Sequence, residues 1–208
     1  MKRRLYLSVA VIIGLLSSTD VAAQSLADSA AGATASPGYP AGKMRVGFNA
    51  VPTPLGRYEA GTQTGALSFA FGLRAFFDYL VTPNFFVGVA PTYTFNVIAD
   101  DAVPGAKARQ ELDLLVRLGA GAPVADSLQL YGYLSPGYSW FFNSGSGDAP
   151  KGLVLGINGG GIYTVNQLFF LNGELGYQLG FQKVTIASTS VDFSVQLLQI
   201  ALGGGVRF

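Results

Sequence analysis

From residue 198 to the carboxyl end the side chains alternate without interruption: Leu198, Ile200, Leu202, Gly204, Val206 and Phe208 on one parity, Gln199, Ala201, Gly203, Gly205 and Arg207 on the other. A period of two places these sets on opposite faces of a β-strand, whereas a helix would scatter them around its circumference. Seven more runs repeat the pattern, over residues 43–52, 66–80, 85–97, 110–121, 128–142, 152–164 and 168–182, and the last run extends back to residue 192. Eight alternating strands in one chain constrain it to an all-β fold. Each strand then has one bulky apolar face and one small or polar face.

The amino end is built differently. Lys2, Arg3 and Arg4 precede an apolar stretch from Leu5 to Leu16, and small residues close it at Val21-Ala22-Ala23. This is the layout of a secretory signal peptide, with an apolar core too short to span a bilayer and a cleavage pattern behind it. Residues 1–23 are expected to be removed, residues 24–41, rich in Ala, Ser, Gly and Pro, to form a flexible periplasmic lead-in, and residues 42–208 to form one domain. No cysteine is present, so neither a disulfide framework nor a lipid-bearing cysteine is available. Beyond the signal 10 basic and 11 acidic residues remain, a balance that gives no reason to expect a nucleic-acid partner. Charged residues make up 12 % of the chain, against about 25 % in soluble domains. Yet no apolar run after residue 24 is long enough for a membrane helix. A chain this apolar without a helical span can satisfy its backbone inside a bilayer only as a closed barrel.

The connections alternate in length. Residues 81–84, 122–127 and 165–167 are short, while 53–65, 98–109, 143–151 and 183–191 are longer and polar. Short turns at one end and longer loops at the other correspond to the periplasmic and extracellular ends of a transmembrane barrel, with both chain ends on the periplasmic side. Bulk decides which face looks out. In the second run Leu67, Phe69, Phe71, Leu73, Ala75, Phe77 and Tyr79 oppose Ala66, Ser68, Ala70, Gly72, Arg74, Phe76 and Asp78. An eight-stranded interior is just wide enough for its own side chains, so the bulkier set faces lipid. A soluble cup of the lipocalin type would need the reverse, a charged exterior around an apolar interior. Aromatics gather toward strand ends as two interfacial girdles: Tyr93, Phe95, Tyr138, Trp140 and Phe181 near the loops, and Phe77, Tyr79, Phe85, Tyr163, Phe169 and Phe208 near the turns. Pro91 and Pro136, unable to donate to a ladder, predict a bulge or local irregularity. The doublet Leu197-Leu198 predicts another bulge, which would let Phe193 and Val195 look outward along with Ile200 and Leu202.

The inward face collects Arg45, Arg74, Asp78, Glu111, Asp113, Arg117, Glu174 and Arg207, four positive and four negative groups. Charge in a narrow lumen is costly unless paired, so a salt-bridge ladder is expected, with Arg74, Arg117 and Glu174 at its mid-depth. A selective ion path, or a paired-carboxylate catalytic site at Glu111 and Asp113, is the functional alternative. The chain has no His, and Ser68, Ser135, Ser139 and Ser194 lack a base to activate them, which argues against hydrolase chemistry. The glycine-rich run from Gly156 to Gly161 lacks the Lys-Ser/Thr ending of a phosphate loop and reads as curved barrel wall. Asp100, Asp101 and Asp148 show no ligand spacing, so neither a cofactor nor a metal is expected. Phe76, Phe86, Tyr131, Tyr133, Ile162 and Phe170 should block the lumen near the turns. Ser68, Thr92, Thr94, Asn96, Ser139, Gly152, Gly180 and Ser194 predict a roomy mouth near the loops.

Signal, eight alternating runs, loop asymmetry and the terminal Phe208 together resemble the small eight-stranded bacterial outer-membrane barrels, similar to OmpX and to the transmembrane domain of OmpA, over residues 43–208. The resemblance implies an eight-stranded antiparallel up-and-down transmembrane β-barrel in a Gram-negative outer membrane, in contact with outer-membrane lipid and lipopolysaccharide. It also implies that Leu202, Gly204, Val206 and Phe208 form a terminal signal read by the barrel-assembly machinery. The expected function is non-enzymatic, with surface loops serving adhesion, envelope integrity or protection toward an unidentified extracellular partner. A narrow porin or small-ligand conduit is the alternative, and a His-less lipid-modifying enzyme a third.

Overall fold

A computed structural model describes residues 43–60, 63–67, 69–95, 110–142, 150–186 and 189–208. They form ten strand segments: β1 (Met44–Thr53), β2 (Leu55–Ala60), β3 (Gln63–Leu67), β4 (Ala70–Leu80), β5 (Phe85–Phe95), β6 (Gln110–Ala125), β7 (Leu128–Phe142), β8 (Lys151–Thr164), β9 (Phe169–Ile186) and β10 (Thr189–Arg207). Their order is β1-β4-β5-β6-β7-β8-β9-β10-β2-β3, and β1 also pairs with β10. β1 and β2 are two halves of one long stave, as are β3 and β4, so the sheet is a closed antiparallel barrel of eight staves. The signal and lead-in expected over residues 1–41, the loop cores at 98–109 and 143–149, and Ser68 and Asn96 lie outside the described residues.

The barrel closes on the last residues of the chain. Met44 N–H donates to the Phe208 carbonyl at 2.8 Å and Phe208 N–H returns a bond to the Met44 carbonyl at 3.1 Å. Along this seam a Cβ on Gly203 or Gly205 would run into the carbonyl of Phe48 or Val46, so glycine is what lets the first and last staves meet. Leu202 and Phe208 are exposed on the outer face, with Gly204 and Val206 half-buried on the same parity. The rest of that face is an apolar belt. Leu114, Leu134, Ile157 and Leu175 are exposed at its middle, bordered by Phe77, Tyr79 and Phe169 toward the turns and Phe95, Trp140 and Phe181 toward the loops. In water such a wall would be an aggregation surface; in a bilayer it is the lipid contact.

The structure departs from the expected strand plan in four places. Residues 53–65 and 183–191 contribute strand rather than loop: β2 pairs β3 from Gly56↔Leu67 to Ala60↔Gln63, and β9 pairs β10 out to Ile186↔Thr189. The turn expected over 122–127 shrinks to Asp126-Ser127, because β6 runs to Ala125 with a register shift between Pro123 and Ala125. The Leu197-Leu198 bulge does not occur. Register between β9 and β10 is unbroken from Ile186↔Thr189 to Phe169↔Val206, so Phe193, Val195 and Leu197 all point inward. The parity fault lies instead in the first stave, where Ala50 to Leu55 takes five steps while its partner takes only four from Leu202 to Leu198. Pro54, which cannot donate to a ladder, stands at that fault. The second stave stays in step with the first, Thr53↔Ala70 and Gly56↔Leu67, so Leu67 turns inward rather than toward lipid.

Pro91 and Pro136 are accommodated without a bulge. The β4–β5 ladder passes from Arg74↔Thr92 to Phe77↔Val89, and the β6–β7 ladder from Leu115↔Gly137 to Leu118↔Leu134. Rungs are missing beside each proline, but the register is the same on either side.

Candidate functional site

The lumen is where the chain concentrates its chemistry, and it is layered along the barrel axis. At the turn end Arg207 donates from Nε to the Gln167 carbonyl at 3.1 Å and from Nη2 to the Asn166 carbonyl at 2.9 Å, pinning the β8–β9 turn. Above it runs a chain of five alternating charges. Arg45 Nη2 meets Asp78 Oδ2 at 3.3 Å, Arg117 Nε meets Asp78 Oδ1 at 3.2 Å, Arg117 Nη2 meets Glu174 Oε1 at 3.3 Å, and Arg74 Nη1 meets Glu174 Oε2 at 3.2 Å. Each of these side chains is almost wholly buried.

Glu174 is the hub. Besides the two guanidiniums, Tyr131 donates its hydroxyl to Oε1 and Tyr133 donates to Oε2, both at 2.6 Å. Its four donors come from β4, β6 and β7, none of which neighbours β9, so the carboxylate sits where side chains crossing the lumen converge. The Arg117 guanidinium lies 4.1 Å from the centre of the Tyr133 ring and 4.7 Å from that of Phe76, and Arg45 lies 4.7 Å from that of Phe86. Rings and charges therefore share one layer, with Arg45 and Arg117 each covered by an aromatic face. Small residues make the room: a Cβ on Gly88 would strike the Asp78 carboxylate, and one on Gly160 would strike the backbone beside Glu174.

Toward the loops hydrogen bonds to neutral side chains replace ion pairs. Arg74 donates to Thr92 at 3.1 Å and to Gln199 at 2.7 Å, Gln199 to Gln178 at 3.2 Å, and Gln178 to Asp113 at 3.0 Å. Ser139 donates to Glu111 at 2.6 Å and Gln182 to Ser139 at 3.3 Å. The eight charged positions read from sequence thus share the lumen but do not form one ladder. Arg117, on the same strand as Glu111 and Asp113, turns away from them toward Asp78 and Glu174, and among the described residues no ion pair includes either acid.

The mouth is not roomy. Thr92, Thr94 and Ser139 do face inward, but above them Tyr58, Leu67, Phe141, Phe193, Val195 and Leu197 pack into an apolar plug, while Ser194 takes the outward parity. The Phe193 ring stands 6.2 Å from Tyr58 and 6.1 Å from Phe141, the latter edge-on. The parity fault at Pro54 is the cause, since it is what turns Tyr58 and Leu67 inward to meet the unbroken inward face of β10. At the other end Phe76, Phe86, Tyr131, Tyr133, Ile162 and Phe170 do close the base. Sequence reasoning passed over Gln178, Gln182 and Gln199, although they share inward parity with the charged groups. It passed over Tyr58 because that residue fell in a segment read as loop.

Chemically, the lumen holds charge in place. The Ser139 hydroxyl is committed to Glu111, Ser135 accepts from Asn158 Nδ2 at 2.9 Å, and the Glu111–Ser139 pair lies beneath the plug.

No protein-family model matches this sequence, and no curated protein sequence does. Solved structures do match in shape. OprG of Pseudomonas aeruginosa, an outer membrane protein, superposes with a TM-score of 0.57 at 16 % identity, covering 82 % of this chain and 98 % of that one. The outer membrane protein AlkL, determined in lipid bilayers, gives 0.57 at 17 % identity over 85 % of this chain and 94 % of its own. Ail, the attachment invasion locus protein of Yersinia pestis, gives 0.50 at 16 % identity over 81 % and 99 %. The chain has the fold of a small Gram-negative outer-membrane barrel. The likeness is one of backbone path, at identities that transfer no binding residue.

Proposed function

We propose that this protein is a non-enzymatic, non-conducting outer-membrane barrel whose membrane-held scaffold presents its loop-end hairpins at the cell surface, in adhesion, envelope integrity or protection. The observation that carries the reading is the filled lumen: an apolar base, an ionic hub bonded across the axis and an apolar plug stand in series. A solute would have to displace all three, so the conduit reading has no supporting feature of its own. The β2–β3 hairpin, with Arg57 and Glu59 exposed on its outer face and Tyr58 anchored in the plug, is an element suited to display.

The test pairs two measurements. An epitope inserted between residues 61 and 62 should be reached by antibody on intact cells, and the purified barrel in planar bilayers should give no long-lived conductance steps. Stable, reproducible steps would restore the pore reading, and an epitope seen only after lysis would overturn surface display.

A further inference from the structure

Glu111 and Asp113 occupy successive inward positions on β6, about 7 Å apart along the strand, and each is 1 % exposed. The row that begins at Asp113 crosses three more staves: Asp113 pairs with Ser139 on β7, Ser139 with Gly152 on β8, and Gly152 with Gln182 on β9. A Cβ on Gly152 would strike the β9 backbone at Phe181 and Gln182, so β8 adds no side chain to the row. Gln182 reaches over that glycine to Ser139, with Nε2 donating to the hydroxyl at 3.3 Å.

The donors of this layer are already committed. Ser139 donates to Glu111 Oε1 and Gln178 to Asp113 Oδ2. Arg74 is the cation that bears on Asp113, yet its bonds go to Thr92, Tyr133, Glu174 and Gln199. Three oxygens remain that no hydrogen bond reaches among the described residues: Glu111 Oε2, Asp113 Oδ1 and the Gln182 carbonyl Oε1. Gln182 is itself 2 % exposed, its side chain bears on Glu111, and the two acids act on each other. Acceptors cannot satisfy one another, and two buried carboxylates side by side call for positive charge between them. The donor set is oxygen throughout, two carboxylates with an amide carbonyl and a hydroxyl, which suits a hard cation rather than one that prefers nitrogen or sulfur. No group of three or more His, Cys, Asp and Glu side chains gathers among the described residues, so the site offers two negative charges and matches a divalent ion. Phe141, directly opposite Glu111, belongs to the apolar plug above, and low polarity there strengthens the attraction between ion and carboxylate.

We propose that Glu111, Asp113, Ser139 and Gln182 form a site beneath the plug for one divalent, oxygen-preferring cation of the calcium class. Calcium tolerates irregular oxygen geometry, which a set drawn from three staves provides. The ion takes up the two charges that lack an ion pair and ties β6, β7 and β9 together under the apolar cap. It is a property of the closed lumen and holds whatever the loops meet outside.

The experiment refolds the barrel in neutral-detergent micelles in EDTA or in calcium chloride. It reads bound calcium by equilibrium dialysis, and the urea midpoint by fluorescence of Trp140, the only tryptophan in the chain, which pairs with Leu112 between the two acids. Heat-modifiable migration on gels reports folding separately. Wild-type protein and an Asp192→Asn control, an exposed acid at the same end, should each bind one calcium and unfold at higher urea in its presence. Glu111→Gln with Asp113→Asn should weaken binding by about tenfold or more and lose the calcium gain, while its midpoint in EDTA stays at or above that of wild type because a like-charge pair is gone. Gln182→Met, which removes one neutral oxygen and keeps both charges, should fall between. A wild-type midpoint that is the same in calcium and EDTA would assign the gap between the acids to a shared proton and overturn the site. Undiminished binding by the double variant, or an equal loss in Asp192→Asn, would overturn it as well.

Discussion

Glu174→Gln is the sharpest perturbation of the lumen. The glutamine keeps the side-chain volume and one acceptor oxygen, but the other position becomes an amide NH2 facing a guanidinium and a phenol, donors against a donor. Two charge-assisted ion-pair bonds, to Arg74 and Arg117, lose their anion. At about 1.5–3 kcal/mol each the gross loss is about 3–6 kcal/mol. Part is recovered, because Arg117 keeps Asp78, and Arg74 keeps Thr92 and Gln199. The net cost is expected near 3–4 kcal/mol, within the range for breaking a buried pair. Arg74→Met alone should cost less, since Glu174 retains Arg117 and both tyrosines. Combined, the two changes should fall short of the sum of the singles by about 1–3 kcal/mol, because the second removes a charge that the first has stranded. Urea unfolding in micelles, followed by Trp140 fluorescence and by gel mobility, measures all four corners of the cycle. Additivity within about 0.5 kcal/mol, or single variants with unchanged midpoints, would refute the hub.

Three further outcomes follow. Removing Phe208 deletes one exposed aromatic and the paired Met44 seam bonds, a loss of about 2–4 kcal/mol that leaves detergent refolding possible, while insertion in cells should drop sharply if the terminal strand is read during assembly; equal loss in both settings would make it a stability effect. Phe193→Ala hollows the plug and should cost about 3–5 kcal/mol by denaturant midpoint, whereas a lipid-facing Phe193 would cost far less. Gly160→Val places a branched side chain against the backbone at Glu174 and should cost at least about 1–3 kcal/mol, with Gly159→Ala, where a Cβ meets only a carbonyl at 3.8 Å, close to neutral by the same assay.

The alternation of bulky and small residues was enough to read eight staves, their inward and outward faces and the charged set in the lumen, because parity is preserved along any uninterrupted strand. Parity failed at one level of two adjoining staves, near Pro54 in the first and between Leu67 and Phe69 in the second. The extra step near Pro54 cannot be seen in the first stave, where β1 ends and a polar stretch begins, so the compensating break was assigned to Leu197-Leu198, the visible doublet in the partner strand. The doublet turned Phe193 and Val195 outward, the polar run over 53–65 hid Tyr58 in a loop and the bulk of the second run put Leu67 on lipid, which together opened a mouth that these four side chains help to close. Pairing within the lumen was less legible for another reason. Parity says which groups face the axis, but the direction of a long side chain along it depends on neighbours from other staves, and this is why Arg117 joins Asp78 and Glu174 rather than the acids of its own strand.

The missing rungs at the two prolines and the position of the ionic hub have a common logic. The β4–β5 ladder resumes beyond its gap at Arg74↔Thr92, and the Arg74 side chain donates to Thr92 across that same pair of staves. One ladder further round the wall Arg117 lies within the β6–β7 gap and stacks its guanidinium on Tyr133 of the neighbouring strand. Both arginines then converge on Glu174, which ties β4, β6 and β7 to β9. At the depth where a proline leaves the wall short of backbone hydrogen bonds, side chains reconnect the same staves through the interior. The cross-section of the lumen at this depth is taken up by that brace between the staves that carry Pro91 and Pro136.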